Sequence, residues 1–228
     1  MPPSAPANAA LIEQINAALP QTQCTRCGYP DCRAYAEAIA CGDAPINRCP
    51  PGGAEGIVRL ATLTRQPVLP LDTGCGSEGP RLMAVIDEAW CIGCTLCLDA
   101  CPVDSILGAH KRMHTVIEPL CTGCELCVPV CPVDCIRLEP ITADRTGWAA
   151  WSGAQADEAR LRYASHQSRT VRLKQEHDAR LEAKAAAKLA DLPAHSLHTD
   201  PAVLDRKRAV IEAALARARA RKAADGSA

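Results

Sequence analysis

The segment CIGCTLCLDACPVDSI, residues 91 to 106, returns thirty residues later as CTGCELCVPVCPVDCI, residues 121 to 136, with ten of sixteen positions identical. Each copy has the spacing C-x-x-C-x-x-C-x-x-x-C-P, which puts three thiols on one tight loop and a fourth at the start of the next turn. Three thiolates from one loop leave a four-iron cube one ligand short. The known solution is exchange, in which the fourth cysteine of each run ligates the cluster of the other run. Cys91, Cys94, Cys97 and Cys131 are therefore expected to hold one 4Fe–4S cluster, and Cys121, Cys124, Cys127 and Cys101 a second. Gly93 and Gly123 allow the backbone to pass close to each cluster, while Pro102 and Pro132 fix the chain just beyond the fourth cysteine. A structural zinc site uses two separated C-x-x-C pairs and does not match triple runs closed by C-P.

Composition agrees. The chain has 15 cysteines in 228 residues, all between Cys24 and Cys135. An odd number cannot pair completely. No charged leader with an apolar stretch is visible, and no apolar run approaches the ~18 to 20 residues of a membrane span. The expected location is cytoplasmic, where thiols stay reduced and dense cysteines act as metal ligands rather than a disulfide framework. Residues 1 to 150 carry 10 basic and 16 acidic side chains, whereas residues 151 to 228 carry 15 and 10. An acidic, cysteine-bearing part thus precedes a basic tail with different partners.

Around the repeat, MAVID (83 to 87), HTVIE (114 to 118) and CIRLE (135 to 139) have the β-branched character of short strands. Together they resemble the bacterial two-cluster ferredoxin fold. Upstream, Cys24, Cys27 and Cys32 form a third set that lacks one ligand. The stretch DCRAYAEAIACGD reads as a helix stopped by Gly42, on which Cys41 projects about 180° away from Cys32. Cys49 lies in a turn before proline, as Cys101 and Cys131 do, and is the better candidate. The third cluster is expected on Cys24, Cys27, Cys32 and Cys49. The expected fold class is α+β: a small N-terminal helical iron–sulfur module at 8 to 65, a linker at 66 to 80, a two-cluster ferredoxin domain at 81 to 140, and a basic helical tail at 154 to 224.

From about residue 11 to about residue 140 the chain resembles the B subunit of the Rnf/Rsx electron-transport complex. The resemblance rests on ALPQTQCTRCGYPDCRAYAEAIACGDAPINRCPPGG followed by MAVIDEAWCIGCTLC and MHTVIEPLCTGCELC, with twelve cysteines in three sets. It implies an iron–sulfur subunit on the cytoplasmic side of a bacterial inner-membrane complex that couples electron flow between ferredoxin and NAD to ion translocation. Redox proteins and other subunits of the complex would be its partners, with membrane contact at most peripheral. Such subunits usually begin with a hydrophobic membrane helix. Here MPPSAPANAALIEQINAALP places Leu11, Ile12, Ile15 and Leu19 at amphipathic rather than spanning periodicity. The residues themselves define a carrier relaying electrons through three 4Fe–4S clusters, with no catalytic acid, base or nucleophile. A stand-alone soluble polyferredoxin is the alternative reading, and a zinc or nucleic-acid-binding protein the alternative of another class. No G-x-G-x-x-G after a strand and no P-loop is present, so a flavin or nucleotide site would lie on a partner.

Three cysteines remain. Cys41, Cys75 and Cys135 read as apolar fillers or loop thiols; Cys135 aligns with Ser105, and Cys75, in DTGCGSEG, is expected to be the most exposed. His110 and His114 read as surface residues, and His195 and His198 as loop histidines. The tail reads as two helices, about 154 to 190 and from an Asp200 cap with Pro201 to near Gly226, separated by DLPAHSLHTD. Val203, Leu204, Val210, Ile211 and Leu215 offer the second helix an apolar stripe. The tail reads as a solvated extension, and no nucleic-acid partner is expected, since LARARARKAADG lacks aromatic interleaving.

Overall fold

The computed structural model describes residues 5–225. Two compact units divide within one long helix, the first running to His166 and the second starting at Gln167.

The first unit opens with α1 (Ala5–Ala18), α2 (Cys32–Cys41) and α3 (Gly53–Thr64). The side chain of Asp31 starts α2 by accepting the amide of Ala34 at 2.7 Å, the expected chemistry of an N-cap. Gly42, at φ 83°, ends it in a left-handed turn in which Asp43 donates to the Ala38 carbonyl at 2.8 Å, a closure that favours glycine. As the wheel predicts, Cys32 is buried and Cys41 exposed. Ile15 and Leu19 bring α1 into a core with Tyr35, Ile39, Ile46, Ile57 and Leu60, and Leu11 and Ile12 pack beside it.

The cysteine repeat follows as β1 (Leu82–Ile86), α4 (Leu96–Ala100), β2 (Ile106–Leu107), β3 (Thr115–Val116) and β4 (Ile136–Pro140). β1 pairs antiparallel with β4, Ala84 opposite Leu138, and β2 with β3, Ile106 opposite Val116. The strand before the first run thus closes on the strand after the second. β2 is an addition to the three expected strands; two residues are too short to show alternation. The core mixes Met83, Ile86, Val103, Ile106 and Ile136 with five cysteines.

Direct contacts join these parts. Thr122 donates its hydroxyl to the Thr22 carbonyl at 3.1 Å, and Arg26 pairs with Glu125. Beyond β4 the chain returns to the N-terminal helices, where buried Trp148 donates its indole N–H to the Ala18 carbonyl at 3.0 Å under the Arg59 guanidinium. The next helix, α5 (Gly153–Ala190), starts against the same unit. Ala159 enters the cysteine core, and Arg162 donates to the carbonyls of Val103 at 2.7 Å and Asp104 at 3.0 Å.

The second unit holds the rest of α5 and α6 (Pro201–Asp225). Asp200 caps α6 through the Ala202 amide at 2.9 Å, and Arg219 pairs with Glu182 at 2.7 Å. Val203, Leu204, Ile211 and Leu215 are half-buried, but Val210 is 66 % exposed. At about 120° from Leu204 it lies farther round the helix than Val203, at about 100°, which corrects its expected place on the stripe. His195 and His198 are exposed in the connection between the helices. The expected end near Gly226 lies outside the described residues. No helix among the described residues is long and apolar enough to cross a membrane.

Candidate functional site

Two hollows sit within the repeat. One is lined by Cys121, Cys124 and Cys127 from the second run and Cys101 from the first. The other is lined by Cys91, Cys94 and Cys97 from the first run and Cys131 from the second. Each hollow is thus lined by three cysteines of one run and the fourth of the other. Gly93 and Gly123 take φ values of 68° and 66°, followed two residues later by Thr95 and Glu125 at 70° and 67°. These turns bring the three cysteines of each run to one hollow.

Donors already address the sulfurs. The His114 amide lies 3.3 Å from Cys91 Sγ and the Ala84 amide 3.5 Å from Cys121 Sγ. Both the amide and the hydroxyl of Ser105 lie 3.2 Å from Cys101 Sγ. At the matching position, the thiol of Cys135 lies 3.4 Å from Cys131 Sγ.

Burial and crowding act on the thiols. Burial, and then the thiolates of Cys94 and Cys91, push Cys97 up to about 11. Burial pushes Cys124 up to about 12 against the Leu126 amide, with Cys101 and Cys121 adding to the rise. Cys127 also rises to about 12, through burial and then Cys124 and Cys121. Cys131 is the exception: its burial acts upward, but the amides of Val133 and Cys135 and the Cys135 thiol outweigh it and hold it below the ordinary value. Buried thiols that resist ionisation around one hollow are a poor resting arrangement for a bare chain, and a cationic iron centre removes the difficulty by taking them as thiolates. The residues present fit such a group. No group of three or more His, Cys, Asp or Glu side chains among the described residues closes around a single-ion position.

The N-terminal set is gathered by a different device. Gln21, Gln23 and Thr25 all have positive φ, and Gln23 accepts the Cys32 amide on its side chain at 3.0 Å. Tyr35, on α2, donates to the Pro45 carbonyl at 2.8 Å and accepts the Arg48 amide at 3.0 Å, which ties down the turn carrying Cys49. Burial pushes Cys49 well up, and the thiolates of Cys32, Cys24 and Cys27 add to it. Burial raises Cys32 and Cys27 as well. The structure thus brings together Cys24, Cys27, Cys32 and Cys49, and leaves Cys41 outside.

Two expectations need correction. His114 is no surface residue: it is 1 % exposed, with Nδ1 3.2 Å from Cys97 Sγ. The antiparallel pairing of β2 and β3 turns the residue before Thr115 inward, which one histidine in an unpaired stretch of sequence could not signal. Cys75 is half-buried, and Cys41 is the exposed thiol. Asp72 folds the linker by accepting the Gly74 amide at 3.0 Å and pairing with Arg48 at 3.5 Å. Cys75 is carried close enough for its thiolate to contribute to the rise of Cys27. Cys135, expected as a filler, is buried with its thiol on Cys131; its alignment with Ser105 was the available signal.

Two stretches of the chain match known families. Residues 84–138 match the family described as 4Fe-4S dicluster domain, and residues 19–51 the one described as putative Fe-S cluster. The chain is 59 % identical over 138 residues to the B subunit of the ion-translocating oxidoreductase complex of an Azoarcus species, covering 60 % of this chain and 75 % of that protein. The protein of the same name from Thiobacillus denitrificans is 59 % identical over 138 residues, covering 60 % and 73 %. That from Alkalilimnicola ehrlichii is 56 % identical over 156 residues, covering 68 % and 83 %. No solved structure matches.

Proposed function

The chain belongs to the B-subunit family of ion-translocating oxidoreductase complexes, and on that premise we propose that it relays electrons through three 4Fe–4S clusters as a subunit of such a complex. The ligand sets are Cys24, Cys27, Cys32 and Cys49; Cys91, Cys94, Cys97 and Cys131; and Cys101, Cys121, Cys124 and Cys127. The observation that carries this reading is the composition of the two hollows, each lined by three cysteines of one run and the fourth of the other. The N-terminal module, residues 8 to 65, and the dicluster domain, residues 81 to 140, are proposed as separate cluster-bearing parts, supported by their separate cores.

When bound, each cluster supplies a one-electron couple. The chain's own residues do the rest. Cysteine thiolates fix each position, and the amides of Ala84, Ser105 and His114 donate to ligand sulfur. Ile86, Val103, Ile106, Val133 and Ile136 wall the hollows with apolar surface that excludes water. Such control of sulfur hydrogen bonding and solvent access sets where an electron rests. Contact with a membrane would come through the other subunits. Anaerobic reconstitution of the full chain should yield about twelve iron and twelve sulfide; a saturated value near eight would remove one of the three sets.

A further inference from the structure

The duplicated run is symmetric in its ligands and asymmetric in its charges. A shift of thirty residues carries Cys91 onto Cys121, and Ala84 and Arg81 onto His114 and Lys111. The backbone obeys that shift. The amides of His114 and Ala84 address Cys91 and Cys121 in turn, and a β-carbon on Gly93 would meet Lys111 and Arg112 as one on Gly123 would meet Leu82. Lys111 is exposed to water, whereas Arg81 is only 7 % exposed.

Arg81 is an unusual cation. Its Nη2 donates to the carbonyl of Cys121, its guanidinium lies 4.3 Å over the Trp151 ring, and its Nε is buried with no partner. Glu125, on the same cleft, is paired with Arg26. The residue it bonds, Cys121, lines the hollow of the second run. A buried charge is retained when something of opposite sign faces it. Here that something is the thiolate side of a cluster site.

We propose that Arg81 is the built-in counter-cation of the cluster held by Cys101, Cys121, Cys124 and Cys127, and that it raises the reduction potential of this cluster. The inference rests on the ligand sets proposed above. One-electron reduction adds one negative charge to a buried centre and breaks no bond, so a fixed positive charge at its edge favours the reduced form. Lys111, surrounded by water, gives no such support at the Cys91 site. Arg81 is in this sense a positioning residue for charge, acting on the potential through the ligand shell.

The full chain, reconstituted anaerobically and titrated with dithionite under electron paramagnetic resonance, tests this. The signal missing from Cys121→Ala identifies the centre. Arg81→Gln should lower its midpoint by a tenfold or greater change in the reduction equilibrium, about 59 mV for one electron, and leave the other centres in place. Arg81→Lys should restore most of the shift, and Lys111→Gln should move no centre. An unmoved midpoint in Arg81→Gln at full iron content, or equal shifts in Arg81→Gln and Arg81→Lys, would overturn the proposal. Should Arg81→Gln lose that centre, loss in Arg81→Met with retention in Arg81→Lys supports the need for charge, while loss in all three overturns it in favour of packing. If the unsubstituted protein has no signal that Cys121→Ala removes, the ligand assignment fails instead.

Discussion

The hollow at Cys91 and the hollow at Cys121 share one backbone and differ in nearly every side chain that touches their sulfurs. The first has the imidazole of buried His114 on Cys97 and the thiol of Cys135 on Cys131. The second has Ala84 where His114 would be, the Ser105 hydroxyl on Cys101, and Arg81 behind Cys121. Amide donors come from the backbone and survive any substitution except proline, so duplication preserves how iron would be held. The neighbours of sulfur were free to diverge, and they give two matching sites different electrostatic surroundings.

The largest effect should come from breaking the exchange itself. Cys131→Ala should remove the centre at Cys91, and Cys101→Ala the centre at Cys121, each lowering iron from about twelve to about eight per chain. Iron and sulfide analysis with paramagnetic resonance checks this. Loss of the Cys121 centre in Cys131→Ala would mean that ligands do not cross.

Next come the turns that the halves share. Gly93→Ala and Gly123→Ala place a β-carbon against backbone at positive φ. Each should cost about 1–2 kcal/mol for the left-handed conformation and a further 1–3, roughly, for overpacking, read as a lower melting temperature of the loaded protein. Gly28→Ala, at φ 86° with nothing within 4 Å of the new carbon, should show only the conformational part. Equal losses at all three would deny the close backbone approach in the repeat.

A smaller difference should appear with pH in the metal-free chain. Cys124 and Cys127 are pushed up to about 12, whereas in the unfolded chain thiols ionise near ~8.5. The folded state then keeps protons that the unfolded state loses. Stability is full below about pH 8.5 and falls as pH rises toward 12. Replacing both residues by Ala should flatten the slope, measured by denaturant unfolding at rising pH, more than replacing Cys97 and Cys131, since Cys131 is held down rather than up. The smallest effect is expected from Cys135→Ser, which makes the first site resemble the second. Iron should stay complete and stability change by less than about 1 kcal/mol.

Sequence by itself determined the local parts of this protein. Cysteine spacing, Asp31 and Gly42 at the ends of α2, and Asp200 with Pro201 at the start of α6 act over one turn of chain, and all three are read from neighbouring residues. The crossed grouping of eight cysteines around two hollows was legible too, because duplication supplies two copies of a unit that is incomplete alone. Tertiary structure decided what each sulfur faces. His114 turns inward only because β3 pairs with β2. Arg81 is buried only because the chain beyond β4 lays Trp151 beneath it, seventy residues along the sequence. Cys75 is half-buried because Asp72 and Arg48 fold the linker. Burial and electrostatic environment depend on residues far apart in sequence, and no periodicity within one segment encodes them.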